Sequence, residues 1–182
     1  MARPRIDKDA VVASAADVAD EQGLDEVALA KIADDLGVQS SALYNHVDGL
    51  DGLRQDLATE SARGLADHLT DAVIARSGAD AIEALAGAYR SYALEHPGRF
   101  ASILLPAGRS FDTAGDANRR IVDVVGRVLV SHDPDATTGD AVAIWSALHG
   151  HATLEISGAF DDVDVDVDAA FAALVASLVA GR

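Results

Sequence analysis

Residues 24–53 read LDEVALAKIADDLGVQSSALYNHVDGLDGL, two short helical patterns joined by a glycine, the second holding a Tyr and a His but no carboxylate. Leu29, Ile32, Ala33 and Leu36 fall at i, i+3, i+4 and i+7, one apolar face at the helical period that needs a neighbour to bury it. Gly37 stands where such a helix must end in the left-handed region, and Val38 is placed to plug the angle to the next helix. That helix begins near Gln39 or Ser40, with the Ser40 hydroxyl as a candidate cap. It turns Ala42, Leu43 and Val47 inward and leaves Gln39, Ser41, Asn45 and His46 outside. A short rigid turn between two helices with such groups on the outer one is a helix-turn-helix candidate, and it points to DNA.

The upstream stretch AVVASAADVADEQGLD, residues 10–25, supplies a third helix with Val11, Ala15, Val18 and Gln22 along one side. Together residues 6–53 resemble the TetR family of bacterial transcriptional regulators. The shared pattern is Ile32-Ala33, Leu36-Gly37-Val38 and Leu43-Tyr44-x-His46, with Ala15, Ala16 and Gly23 ahead of it. The carboxy-terminal half bears a second resemblance, to TetR regulators whose last domain is named for a Trp-His-Gly motif. It is carried by Tyr89-Arg90-Ser91-Tyr92-Ala93, Glu95-His96-Pro97-Gly98, Trp145-x-x-x-His149-Gly150, Leu154-Glu155 and Gly158.

The resemblance implies an all-α protein of about nine helices. Residues 1–49 would form the three-helix DNA-binding domain and residues 50–182 a helical domain for effector binding and dimerisation. It also implies a homodimer on a palindromic operator in double-stranded DNA, released by a small-molecule effector, with repression as the family default and the cytoplasm as the location. Two positions depart from the family pattern. Leu50 stands where a phosphate-binding Lys usually opens the fourth helix, and Ala28 stands where a Thr or Ser usually opens the second. Each removes a backbone contact or a cap, and phosphate contacts supply most nonspecific affinity.

The expected DNA-facing set is Arg3, Arg5, Ala28, Gln39, Ser40, Ser41, Tyr44, Asn45 and His46. Tyr44 and His46 are assigned to phosphates. Gln39 is the first choice for a base contact, since its amide matches adenine N6 and N7. Residues 1–60 carry five basic and thirteen acidic side chains, a formal charge of −8 and the opposite sign to that usual for a DNA-binding domain. The distribution matters more than the sum: residues 37–47 hold no acid, and Arg3 and Arg5 lie in a tail able to reach a minor groove.

Composition bounds the remainder. With 182 residues, 49% of them hydrophobic, the chain can bury a small module and a larger core. No cysteine is present, so disulfides and zinc–thiolate sites are excluded. No apolar run approaches the about 18 residues of a membrane span and no amino-terminal apolar stretch resembles a signal peptide, so a cytoplasmic protein is expected. Asp outnumbers Glu 24 to 6 and Arg outnumbers Lys 12 to 2, a bias read as solvated acidic faces.

Periodicity predicts a long helix from Leu50 to about Arg76, then helices over 79–95, 98–105, 117–131, 135–158 and 168–180. GRSFDTAG, residues 108–115, reads as a flexible connector beside which a ligand could enter. Trp145, Leu148, His149 and Ala152 share one helical face. They form either a pocket wall with a polar handle or a core Trp with a His satisfied by a backbone carbonyl. Tyr89, Tyr92, Phe100, Leu104 and Arg109 are further pocket candidates, Arg109 reading an acidic ligand or standing solvated in its loop. Gly150 is read as permitting a close helix approach.

No metal or other cofactor is expected. His149 and His151 at i, i+2 face different sides of a helix, which argues against joint ligation with His132 or His96. The run Asp161, Asp162, Asp164, Asp166, Asp168 lacks the glycine and terminal Glu of a calcium loop, and Asp168 is read as the cap of the last helix. Phe171, Leu174, Val175, Leu178 and Val179 form that helix's stripe, which with the preceding helix suits a dimeric four-helix bundle. Two other classes stay open: a sensor or interaction module that binds DNA poorly, and an enzyme, for which no catalytic constellation is readable.

Overall fold

The computed structural model describes residues 6–104 and 111–180. Among them are nine α-helices and one 3-10 turn. These are α1 (Lys8–Gln22), the turn Leu24–Glu26, α2 (Leu29–Asp35), α3 (Ser40–Leu43), α4 (Gly49–Ala72), α5 (Gly78–Glu95), α6 (Pro97–Ser102), α7 (Phe111–His132), α8 (Thr138–Ile156) and α9 (Val167–Ala180). The all-α class is as the sequence implies. The chain divides into two compact units, residues 1–62 with 96–117 and residues 63–95 with 118–182. α4 is continuous from the first into the second.

Local chemistry explains most helix ends. Asp7 opens α1, its Oδ1 accepting from the Ala10 N–H at 2.9 Å. Thr137 and Asp140 form a capping box on α8, each side chain accepting from the other's backbone N–H. α2 ends in a Schellman arrangement: Gly37, at φ 66°, donates to Asp34 O at 3.1 Å and Val38 donates to Ala33 O at 2.9 Å. Only the left-handed backbone at Gly37 allows both bonds, so the glycine sets the angle between α2 and α3.

In the first unit, Val11, Ala15 and Val18 of α1 pack with Ile32, Ala33, Leu43, Val47, Leu53 and Leu57. Val38 and Leu50 are half-buried against this core. α6 belongs here as well, lying on α1. The second unit is organised around α5, which packs on α8 and α9. Ile82, Leu85 and Tyr89 of α5, Leu65 and Leu69 of α4, Ile121, Val125 and Leu129 of α7, and Ile144 and Leu148 of α8 are all buried.

Five local expectations are corrected. The helix after Leu50 stops at Ala72, followed by turns in which Ala75 (φ 59°) and Gly78 (φ 63°) take left-handed backbone. Residues 111–115 of the expected connector are helical within α7, because extending an existing helix adds a hydrogen bond per residue and a lone glycine does not stop it. At α3, Gln39 rather than Ser40 is the cap residue and no side chain bonds the free N–H groups. At α9 the cap is Asp166, whose Oδ1 accepts from Ala169 N–H at 3.0 Å, while Asp168 lies inside the first turn. Gly150 meets nothing within 4 Å; the close approach is made by Gly98, where an added Cβ would stand 2.0 Å from the Ala19 carbonyl.

Candidate functional site

The outer surface of the α2–α3 pair carries the expected polar set. Ala28, Gln39, Ser41, Tyr44 and Asn45 are exposed, Ser40 and His46 half-buried, and Leu43 and Val47 buried beneath them. α3 proper is one turn long, and the chain continues to Val47 through turns: Asn45 N–H donates to Ala42 O and Val47 N–H to Leu43 O. Asn45 Nδ2 also donates to Ala42 O at 3.3 Å. Tyr44 projects into solvent with 62% of its surface exposed, an unusual place for a phenol unless a partner covers it. Ala28 opens α2 with no side-chain cap. Arg3 and Arg5 lie outside the described residues.

Two open cavities flank this surface. One of about 460 Å³ is lined by Ile6, Leu36, Gly37, Val38, Gln39 and Ser41. The other, of about 260 Å³, is lined among others by Lys8, Tyr44, Asn45, His46, Asp48 and Asp56.

In the second unit, Tyr89, Trp145 and His149 come together. Trp145 Nε1–H donates to the Tyr89 hydroxyl oxygen at 2.8 Å, since an indole can only donate. The Tyr89 hydroxyl is 2.8 Å from His149 Nδ1, and which of the two donates follows the His149 tautomer. Burial pushes the Tyr89 phenol well above its ordinary range and His149 below its ordinary value of 6.5, so both are neutral near pH 7. Trp145 and His149 are half-exposed while Tyr89 is buried.

The other expected pocket residues are described each in its own unit. Tyr92 is buried against Gly64, its hydroxyl 3.1 Å from where a Cβ would stand, and its ring centroid lies 5.7 Å from that of His68. Phe100 is buried and Leu104 exposed, both in the first unit. Arg109 lies outside the described residues.

Two polar clusters were not anticipated. Arg90 of α5 forms a forked pair with Glu155 of α8, Nε to Oε2 at 2.8 Å and Nη2 to Oε1 at 2.6 Å. Its Nη2 also reaches Asp168 of α9 at 2.6 Å, and the guanidinium lies 4.9 Å from the centre of the Phe171 ring. Three helices are tied through one side chain. In the first unit, Asp20 of α1 caps α6 from outside: Oδ1 accepts from Arg99 N–H at 2.8 Å and Oδ2 from Arg99 Nη1 at 2.8 Å. His96 Nδ1 stands 3.2 Å from the same Oδ2, and Arg99 Nη2 reaches Asp17 at 2.7 Å. Arg90 and Glu155 sat in the quoted motifs without a role; an opposite-charge pair on two otherwise apolar helix faces was the available signal. Nothing in one sequence signals that Asp20 and Arg99 meet.

Among the described residues no group of His, Asp or Glu could hold a metal ion. Among the described residues no helix is long and apolar enough to cross a membrane.

Residues 82–178 match the family model described as tetracyclin repressor-like, C-terminal domain. The chain is 35% identical, over its whole length and 84% of the relative, to the uncharacterised HTH-type transcriptional regulator Rv0681 of Mycobacterium tuberculosis strain H37Rv. It is 32% identical to YobS of Bacillus subtilis strain 168, also described as an HTH-type transcriptional regulator, over 83% of this chain and 80% of that one. The fold is shared with a protein of unknown function from Rhodococcus sp. RHA1, at a TM-score of 0.76 and 26% identity over 96% of this chain and 94% of the other.

Proposed function

Because the chain belongs to the TetR family of transcriptional regulators, we propose that it is a homodimeric repressor that binds a palindromic operator and is released by a small-molecule effector. The observation that carries the DNA half is the exposed set Gln39, Ser41, Tyr44 and Asn45, held on a surface whose underside is locked by buried Leu43 and Val47. Rigid backing with adaptable hydrogen-bonding groups outside is what groove readout needs. Gln39 is assigned to a base edge, Ser40, Ser41 and Asn45 to base edges or phosphates, and Tyr44 and His46 to phosphates. Arg3 and Arg5 are assigned to the minor groove, and Ala28 to the backbone with its contact reduced to van der Waals.

Dimerisation through α8 and α9 is supported by their outer faces. Val142 and Leu154 of α8 are exposed large apolar residues, and of the fourteen residues of α9 only Val175 is buried in the single chain. One α3 reads only a few base pairs, so two are needed for an operator. For the effector, Tyr89, Trp145 and His149 supply a polar handle in an apolar unit. A ligand that favours one spacing of the two DNA-binding surfaces would lower DNA affinity by shifting that population, α4 being one of the helices that run from one unit into the other. Tyr92, Phe100, Leu104 and Arg109 are kept as secondary candidates.

The test is a titration of the purified protein on DNA upstream of its own gene, across salt concentrations and against a scrambled duplex. Salt-weakened, sequence-specific binding that Gln39→Ala abolishes is expected; no preference at low salt would overturn the reading. The formal charge of −8 on residues 1–60 favours a second one, a sensor or interaction module of the same fold with poor DNA affinity, which that outcome would support.

A further inference from the structure

We infer that Lys8 is a phosphate anchor on the DNA-facing surface and that Asp56 occupies it in the DNA-free protein, so that operator backbone and Asp56 compete for one ammonium group; this rests on the operator-binding reading above. Lys8 Nζ stands 2.7 Å from Asp56 Oδ1, with side chains 54% and 26% exposed. Both line the 260 Å³ cleft that also receives Tyr44, Asn45 and His46.

Leu50, where a cation would open α4, is instead half-buried against the core. Neither of the other two Lys or Arg side chains among residues 6–60 lines this cleft: Lys31 contacts Gln22 Oε1, and Arg54 has its Nε buried. Lys8 therefore brings to this cleft, from the first turn of α1, the positive charge that the start of α4 lacks. A lysine at a helix N-terminus works against the helix dipole, so helix stability gives no reason for it there.

A phosphate oxygen offers an ammonium the same charge-assisted bond as a carboxylate oxygen. With Asp48 and Asp56 beside one ammonium, the DNA-free cleft is net negative, and a phosphate is admitted by exchange. Lys8 turns to the backbone, and Asp56, on the surface of α4, turns to water. The exposure of both side chains leaves that rotation unhindered and the pair weak enough to exchange.

The experiment is the salt titration of the full chain on its own upstream DNA, run for wild type, Lys8→Gln, Asp56→Asn and the double variant, with thermal melts of each. Lys8→Gln is expected to weaken binding and lower the slope of log K against log salt by about one per protomer. Asp56→Asn is expected to tighten binding by about fivefold per protomer, the worth of one exposed ion pair. In the Lys8→Gln background Asp56→Asn is expected to add nothing. Unchanged slope and affinity in both single variants, with only a lower melting temperature, would reduce the pair to a tie between α1 and α4 and overturn the proposal. Tightening by Asp56→Asn that persists without Lys8 overturns it too, as a general charge effect. If neither wild type nor Asp56→Asn binds DNA at low salt, the operator-binding reading itself falls, an outcome distinct from the other two.

Discussion

The hydroxyl of Tyr89 lies 2.8 Å from Nδ1 of His149 and accepts from Trp145 Nε1–H at 2.8 Å, so one phenol joins the indole and the imidazole. Protonating this half-buried imidazole puts a charge where burial disfavours it. Since burial holds His149 below its ordinary 6.5, the unfolded chain binds the extra proton first. Stability contributed by this group is fully present above pH about 6.5 and is lost as pH falls towards the lowered folded value. Melting temperatures measured from pH 7.5 down to 5.5 are expected to fall for the wild type. His149→Asn keeps an acceptor and cannot titrate, so its profile over that range should be flatter; an identical slope would count against His149 as the group responsible.

Gly98 and Gly150 should respond oppositely to the same change. An alanine Cβ at Gly98 would meet the Ala19 backbone at 2.0 Å, and backbone cannot step aside. Gly98→Ala is expected to lower stability by more than about 2 kcal/mol, with α6 forced off α1. At Gly150 the Cβ enters open space in mid-helix, so Gly150→Ala should stabilise the monomer unit by up to about 1 kcal/mol. Chemical denaturation of the two variants side by side checks both signs.

Arg90 is half-buried, and its removal leaves Glu155, 14% exposed, without its forked partner. Arg90→Met is expected to cost about 3 kcal/mol, the order found when one member of a buried pair is deleted. Part of that should return in the Arg90→Met/Glu155→Leu double variant, which removes both charges. A double-mutant cycle by urea unfolding gives the coupling; additive losses would mean that the pair contributes little.

On the outer face of α8, Val142, Ser146, Gly150 and Leu154 recur every four residues and are all exposed. Under the dimer proposal, Leu154→Asp places a charge in an apolar seam, and Gly150→Trp fills space a second copy would need. Each is expected to yield folded monomer by light scattering and to lose operator binding together with the dimer. Retention of the dimer by both variants would move the interface elsewhere.

The helix-turn-helix was readable because its information is local. The 3.6-residue spacing of Ile32, Ala33 and Leu36, the glycine at 37 and the apolar plug at 38 act within fifteen residues of one another, and the Schellman bonds follow from them directly. Helix ends failed where a competing local donor or acceptor stood one or two residues away, as with Asp166 against Asp168. The Trp145–His149 face was legible from spacing; its partner Tyr89, 56 residues away, was named only through the motif it sits in. Phe100 was named for its place beside the proline break, not for any spacing it shares with Trp145. Periodicity shows that a side chain is buried but not in which core.

α6 also bears on how the protein is made. The surface of α1 around Ala19 is completed by Gly98 and Arg99, which are synthesised some eighty positions later. During translation the three amino-terminal helices emerge long before the helix that closes over them, so Asp20 waits as an unsatisfied acceptor until residues 96–102 leave the ribosome. A fragment cut at Ala62 would carry every residue of the proposed DNA-facing set and still lack the piece that seats α1. Under the operator-binding proposal, recombining the chain's first sixty residues with a foreign partner domain would require α6 to travel with them.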